Sequence, residues 1–241
     1  SVSAMIPDSG HARLDPDTVL SPDSLLAAYR AAGAAVAATD LVLTGEIDSA
    51  FCGVRPPGHH AESNRAMGFC LFNNIAVGAA HALEAHGIGK LAILDFDVHQ
   101  GNGTEEIFAD DDRVLFCSTF QHPFFPFTTP PENSDRVVSI PLDATARSAQ
   151  FRSAIHDHWL PALDAFAPQL IFVSAGFDAH REDEMSHVSL TDGDFRWVAE
   201  AIMKIATRHA RGRVISALEG GYEIHSLARC VEAHVRVLMG L

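Results

Sequence analysis

Apolar and polar positions along the chain fall into two periods, and these predict its elements. Ser21-Pro22-Asp23 opens a helix, with Ser as N-cap, Pro in the first turn and Asp near the positive end of the dipole. That helix is expected to run through the Ala-rich stretch to about Thr39. Phe51 to Val54 reads as a short strand that must leave regular structure at Arg55-Pro56-Pro57-Gly58. Asn73 to His86 is helical, with Ile75, Ala79, Ala82 and Leu83 on one side and a stop at Gly87. A strand over 91–98 and a short helix over 103–109 follow, then strands at Val114–Ser118 and Val137–Ile140. Gln150–Phe166 is an amphipathic helix, Leu170–Ser174 a strand, Asp192–Arg208 a helix, Val214–Leu218 a strand and Ile224–Met239 a last helix. Residues 1–20, polar with two prolines, are expected to be a surface segment. Strands alternating with helices imply an α/β fold: a mostly parallel sheet covered on both faces.

Composition narrows this picture a little. At 241 residues and 47% hydrophobic, the chain can form one large α/β domain over 1–241. A net charge of −14 argues against direct binding to nucleic acid and is compatible with a cationic substrate. No run of about 18 apolar residues is present, so no membrane partner is expected. Ser1–Gly10 lacks the layout of a signal peptide. The four cysteines (Cys52, Cys70, Cys117, Cys230) form no CxxC pair and suggest reduced thiols in a cytoplasmic protein.

The chemistry gathers at the strand ends. Leu94-Asp95-Phe96-Asp97-Val98-His99 carries three polar groups that strand alternation would place on one face, with Phe96 and Val98 on the other. Buried together, those groups need a compensating cation. Three other strands run into Arg55-Pro56-Pro57-Gly58-His59-His60-Ala61-Glu62, Ser174-Ala175-Gly176-Phe177-Asp178-Ala179-His180 and Leu218-Glu219-Gly220-Gly221-Tyr222. In a parallel sheet these four clusters meet beyond the carboxyl ends of the strands. Asp97, His99 and Asp178 would then offer three N and O ligands, leaving a fourth position open for water, as a catalytic zinc requires. Taken singly, Asp97 could cap a helix, His99 fill the core and Asp178 lie in a loop; taken together they favour a metal. Adjacent His59 and His60 offer two proton-handling groups whose pKa values neighbours can drive apart. Tyr222, on a glycine turn, could donate to an oxyanion. Gly68 and Phe69 supply a close-approach glycine and an aromatic wall. The remaining histidines on helices, among them His81, His86 and His234, show no spacing that pairs them.

These motifs, RPPGHHAE (55–62), GFCLFNN (68–74), LDFDVHQGNGT (94–104), SAGFDAH (174–180) and LEGGYE (218–223), resemble the zinc-dependent histone deacetylase superfamily, which includes bacterial acetylpolyamine amidohydrolases. The wording around Asn102 resembles the class II and bacterial branch. The resemblance runs from about Asp15 to the C-terminus and implies a three-layer α/β/α fold of the arginase/deacetylase type, with the active site at the C-terminal ends of the strands. It implies one Zn²⁺ on Asp97, His99 and Asp178, His60 as general base with His59 beside it, Asp95 orienting His59 and Asn102 orienting His60, and Tyr222 as oxyanion donor. It implies Phe69 and Phe125 as channel walls bordered by Gly68. It further implies a structural K⁺ near Asp95, Asp97, His99, Ser118 and Thr119, and a second near Phe108 and Val114. The family's N-terminal strand and helix have no counterpart before Asp15, and the loop after Phe125 is shorter and less glycine-rich than the family's.

The function so implied is removal of an acetyl or other acyl group from an amine, such as acetyl-lysine in a peptide or a small acetylpolyamine, with a homo-oligomer possible. Two alternatives stand beside it: a binuclear manganese ureohydrolase of the arginase type, which needs further Asp and His ligands, and a non-catalytic acyl-lysine binding module, which would be expected to lack Tyr222 or a histidine. Substrate choice is expected to lie in the rim, 180–187 and 123–131, where Arg181-Glu182-Asp183-Glu184 could meet a second amine or simply be solvated.

Overall fold

The computed structural model describes residues 2–241. Leu91–Asp95 (β4) is buried at every position, which is why it reads as a continuous apolar run. Its side chains alternate between two cores. Leu91 and Ile93 pack with Ala79, Leu83 and Phe172 on one side. Ala92 and Leu94 pack with Phe151, Trp159, Phe195 and Ile202 on the other. Around β4 lies a six-stranded sheet in the order β3-β8-β7-β4-β5-β6, where β3 is Ser49–Cys52, β5 Val114–Gln121, β6 Val137–Leu142, β7 Leu170–Ala175 and β8 Val214–Leu218. Every pairing within it is parallel. Helices α1 (Ser24–Thr44), α2 (Asn74–Ala85) and α3 (Asn102–Phe108) contribute to the first core. Helices α4 (Ser148–Ala154), α5 (Leu160–Phe166), α6 (Asp192–His209) and α7 (Ile224–Leu238) contribute to the second. The result is a three-layer α/β/α fold. From β4 the chain moves to β5 and β6 on one side, whereas β7 and β8 lie on the other. The β4/β7 junction is therefore a topological switch point, the place where such sheets bind ligands.

Several elements differ from expectation for identifiable reasons. Helix α1 begins at Ser24 with Asp23, not Ser21, at the N-cap; the Ser21 hydroxyl pairs with Ser24 Oγ instead. By length and composition α1 is apolar enough to cross a membrane; here Ala31, Ala35, Ala38 and Val42 are buried in the fold. The helix expected over 150–166 contains a π-turn at Ile155–Trp159 just before Pro161, whose missing N–H the wider turn accommodates. The leading segment is not simply surface: Ala12–Arg13 (β1) and Val19–Leu20 (β2) form a short antiparallel ladder. Thr18 and Leu20 are buried there. Strand β4 ends at Asp95 rather than Val98. Beyond it, Asp95 Oδ1 accepts from Asp97 N (3.1 Å) and Asp97 Oδ1 from His99 N (2.9 Å). These local carboxylate caps bend the backbone out of the sheet. All four cysteines are free and buried.

Candidate active site

The loops after β3, β4, β7 and β8 meet at the carboxyl edge of the sheet, and they converge around the β4/β7 junction. Asp97 and His99 follow β4; Asp178 follows β7. Their ligand atoms lie within 4.8 Å of one another and all three residues are buried. His99 Nδ1 is 3.0 Å from Asp97 Oδ1 and 3.2 Å from Asp178 Oδ2. Backbone donors fix the carboxylates: Gly220 N donates to Asp97 Oδ2 (2.8 Å) and Val98 N to Asp178 Oδ1 (3.0 Å). Gly220 is required there because a Cβ would overlap both carboxylates. The donor set fits a cation. Asp178 Oδ2 is buried without a hydrogen bond. Burial, and then the Asp97 charge, push the Asp178 carboxyl above its ordinary range. A divalent ion would relieve that cost.

The two adjacent histidines are driven in opposite directions. His59 Nδ1 lies 2.9 Å from Asp95 Oδ2, and its Nε2 lies 3.7 Å from Asp97 Oδ1. Burial disfavours its cation, but the Asp95 and Asp97 charges outweigh burial and hold its pKa well above the usual histidine value. His60 is held well below that value by burial and by repulsion from His59 and His99. Its Nδ1 is 2.9 Å from Asn102 Oδ1. Asn102 Nδ2 donates to Glu62 Oε1 (2.9 Å), so its oxygen faces the imidazole and accepts from Nδ1–H. The free lone pair of a neutral His60 therefore sits on Nε2. Gly68, at φ +57°, lets the chain turn against His60, where a Cβ would strike the imidazole.

A cavity of about 200 Å³ opens over these groups, lined by Asp17, Pro57, His59, His60, Gly68, Phe69, Asp97, His99, Phe124, Phe125, Met185, Gly220 and Tyr222. Phe125 meets His60 edge-to-face at 5.0 Å. Phe69 meets Tyr222 at 6.1 Å. Tyr222 is half-buried, and burial followed by the Asp178 and Asp97 charges raises its pKa, so the phenol keeps its proton. Ser118 and Thr119, on β5, are buried and their hydroxyls have no partner. Phe108 O already accepts from Asp111 N (3.1 Å), and Val114 N donates to Asp111 O (3.2 Å), so these two residues close one turn at the far end of β5.

Other residues are held at the site by partners that sequence spacing does not show. Glu219 is fully buried and accepts from Gly58 N (2.6 Å), His59 N (3.1 Å) and Ser174 Oγ (3.0 Å), so it ties the histidine loop to β7 and β8. Burial pushes its carboxyl up to about 7, against the opposing pull of His59. Asp183, expected either to be solvated or to face an amine, is instead buried, and its Oδ2 accepts from Tyr222 N (2.7 Å) and Glu223 N (3.0 Å). Glu182 pairs with Arg229 (2.8 Å). His180 turns from the rim toward α6, 3.0 Å from Asp192. Phe124 stacks on His99 at 5.3 Å. The sequence places Glu219 and His180 within motifs, and Phe124, Glu182 and Asp183 in the rim, but not these partners.

A parallel sheet with a three-ligand metal-type site at its switch point, flanked by a split histidine pair, defines a class of metal-site α/β proteins. Within that class the match is specific: the histone deacetylase domain family matches residues 2–238, and the chain belongs to that family. It is 39% identical to the histone deacetylase-like amidohydrolase of Pseudomonas aeruginosa, over 97% of this chain and 63% of that protein. It is 38% identical to type-2 histone deacetylase 2 of Dictyostelium discoideum, over 92% of this chain and 14% of that protein. A probable deacetylase of Archaeoglobus fulgidus is 38% identical over 88% of this chain and 60% of its own length. The chain thus spans less than two thirds of each of these relatives. The crystal structure of the HDA15 HD domain superposes with a TM-score of 0.88 at 34% identity, covering 96% of this chain and 69% of that one.

Proposed function

We propose that this chain is a zinc-dependent deacylase, cleaving the amide bond between an acyl group and a linear amine such as acetyl-lysine or an acetylpolyamine. The observation that carries this reading is the meeting of Asp97, His99 and Asp178 with a neutral His60 and a protonated Tyr222 in one aromatic-walled cavity. Asp97, His99 and Asp178 would hold the ion; when bound, it supplies a Lewis acid that polarises an amide carbonyl and acidifies a water. His60 takes the proton of the attacking water at Nε2, because Asn102 occupies Nδ1. It then gives that proton to the leaving amine. His59, held cationic by Asp95 and Asp97, keeps His60 neutral and adds positive charge beside the developing oxyanion. Tyr222 donates its phenolic proton in a hydrogen bond to that oxyanion. Phe69 and Phe125 enclose the aliphatic arm of the amine, and the Gly68 turn sets the wall against the base. One close-packed ligand trio at this site among the described residues supports one ion rather than two.

The orphaned Ser118 and Thr119 hydroxyls support a structural K⁺ behind Asp95, Asp97 and His99, where it would satisfy buried oxygens. The second K⁺ implied by the family resemblance would lie near Phe108 and Val114.

The test is acetate release by zinc-loaded protein from a panel of acetyl-lysine peptide, acetylputrescine and acetylspermine. Turnover of at least one substrate, lost on chelation, is expected. Zinc binding with no turnover of any of them, or of a longer-chain acyl analogue, would overturn the proposal.

A further inference from the structure

Helices α1 and α2 are held in close register. Gly78 of α2 lies against Ala35 of α1, so that a Cβ there would stand 3.1 Å from the Ala35 Cβ. Beside it Thr39 Oγ1, which donates to Ala35 O within α1 at 2.8 Å, lies 3.5 Å from Gly78 O of α2. The residue after Thr39 is Asp40. Its Oδ1 lies 2.7 Å from His81 Nε2 and 2.7 Å from His86 Nε2. The two imidazoles stand at 81° to each other with centroids 5.3 Å apart, each aiming Nε2 at the same carboxylate oxygen. His81 sits on α2 and His86 is its C-cap.

We infer that Asp40, His81 and His86 form a second metal site, which takes a divalent transition-metal ion and clamps α1 to the C-terminal end of α2. Two imidazole nitrogens and one carboxylate oxygen make a borderline N₂O donor set, which suits Zn²⁺, Co²⁺, Ni²⁺ or Cu²⁺ and not Mg²⁺ or Ca²⁺. Donors around a tetrahedral ion with bonds of about 2.0–2.1 Å stand roughly 3.3 Å apart. The carboxylate–imidazole gaps therefore need to open by only roughly 0.6 Å to admit one. The side chains have that freedom, being 49%, 28% and 24% exposed for Asp40, His81 and His86. Their backbones do not, because the Gly78–Ala35 contact locks the helices. Position adds a second term: the carbonyls ending α2 carry partial negative charge, which favours a cation at His86. The site lies at the opposite end of the sheet from the candidate active site, because α2 leads into the amino end of β4 and Asp97 follows its carboxyl end. No residue lining the catalytic cavity belongs to it.

The experiment compares zinc content of the wild type and the variant Asp40→Asn/His81→Gln/His86→Gln after equilibration at micromolar free Zn²⁺ and gel filtration. The wild type is expected to carry one more zinc per chain than the variant, and added Zn²⁺ is expected to raise its Tm further. Cu²⁺ in the wild type should show nitrogen couplings from two imidazoles, absent from the variant. Equal zinc content in the two proteins overturns the inference and leaves the trio as hydrogen-bonded surface groups. Should the triple variant fail to fold, His86→Gln, which removes one donor beyond the last helical turn, is measured the same way, and unchanged content there is equally decisive. The difference between the proteins is independent of whatever ion the catalytic cavity holds.

Discussion

Tyr222→Phe isolates one atom of the proposed chemistry. The ring stays: Phe69 at 6.1 Å and the Arg55 guanidinium 5.7 Å above it pack against either side chain. The backbone stays, because Asp183 holds Tyr222 N at 2.7 Å. The Tyr222 hydroxyl makes no hydrogen bond to any of the described residues, so its loss strands no partner. Stability should then change by less than about 0.5 kcal/mol, the usual range for a substitution that breaks nothing. The rate should not be spared. A donor aimed at an oxyanion is worth roughly 3 kcal/mol, and each 1.36 kcal/mol is tenfold, so kcat should fall by about 10²-fold with KM little changed. The assay is initial-rate acetate release, read beside zinc content and Tm on the same preparation. A kcat within about threefold of wild type, with zinc retained, removes Tyr222 from the proposed mechanism.

His60→Ala should abolish measurable turnover while His59→Ala leaves a residue of it, since only His60 is placed as the neutral base; equal, mild losses contradict that division. Gly220→Ala drives a Cβ into the Asp97 and Asp178 carboxylates, and metal analysis should find the catalytic ion lost; full occupancy would refute the close-approach argument. Glu219→Ala strands the Gly58 and His59 amides and should cost about 2–4 kcal/mol in urea unfolding, whereas Glu219→Gln, which keeps an acceptor on a group already pushed up to about 7, should cost far less. His234 is buried with its pKa lowered to about 4 by burial. The unfolded chain therefore binds a proton there between about pH 6.5 and 4 that the fold refuses, and stability falls with acidification through that window. From pH 7 to 5 this contributes about 2 kcal/mol of loss. The double variant His234→Leu/Ser216→Ala, which also removes the hydrogen-bonded partner at 2.9 Å, should show a correspondingly flatter pH dependence of unfolding free energy; an unchanged slope refutes it.

The parts of this molecule that were legible in the sequence are those encoded locally. The strand runs over 91–94 and 170–173 are apolar because both faces are buried, and that burial marks a parallel sheet. The four motifs at strand ends needed only parallelism to converge. Strand alternation alone was the wrong guide beyond Asp95: the spacing that puts Asp95, Asp97 and His99 on one strand face also lets each carboxylate cap the amide two residues on, and the caps prevailed. The three side chains still reach one site, through a turn. Asp183 was read as rim, but its role and that of Glu219 were not legible, because their work is to accept from backbone amides of other loops, and nothing in sequence spacing marks an acceptor such as Glu219 160 residues from its donor. His81, His86 and Asp40 escaped for the same reason, since α1 and α2 are brought together only by the fold. The leader was misread from composition: polar residues there hide a buried Leu20 and a Thr18 hydroxyl that accepts from Phe69 N at 3.2 Å.

The central claim is hydrolysis at an ion held by Asp97, His99 and Asp178, and one measurement addresses it directly: acetate release from an acetyl-lysine peptide and acetylated polyamines by this chain, followed through chelation, zinc restoration and Asp178→Asn. Turnover that disappears with the metal, returns with Zn²⁺ and is absent from the folded Asp178→Asn protein is the predicted result. Folded, zinc-loaded wild type that releases no acyl group from any of these amines, or Asp178→Asn protein that matches it in rate, contradicts the account.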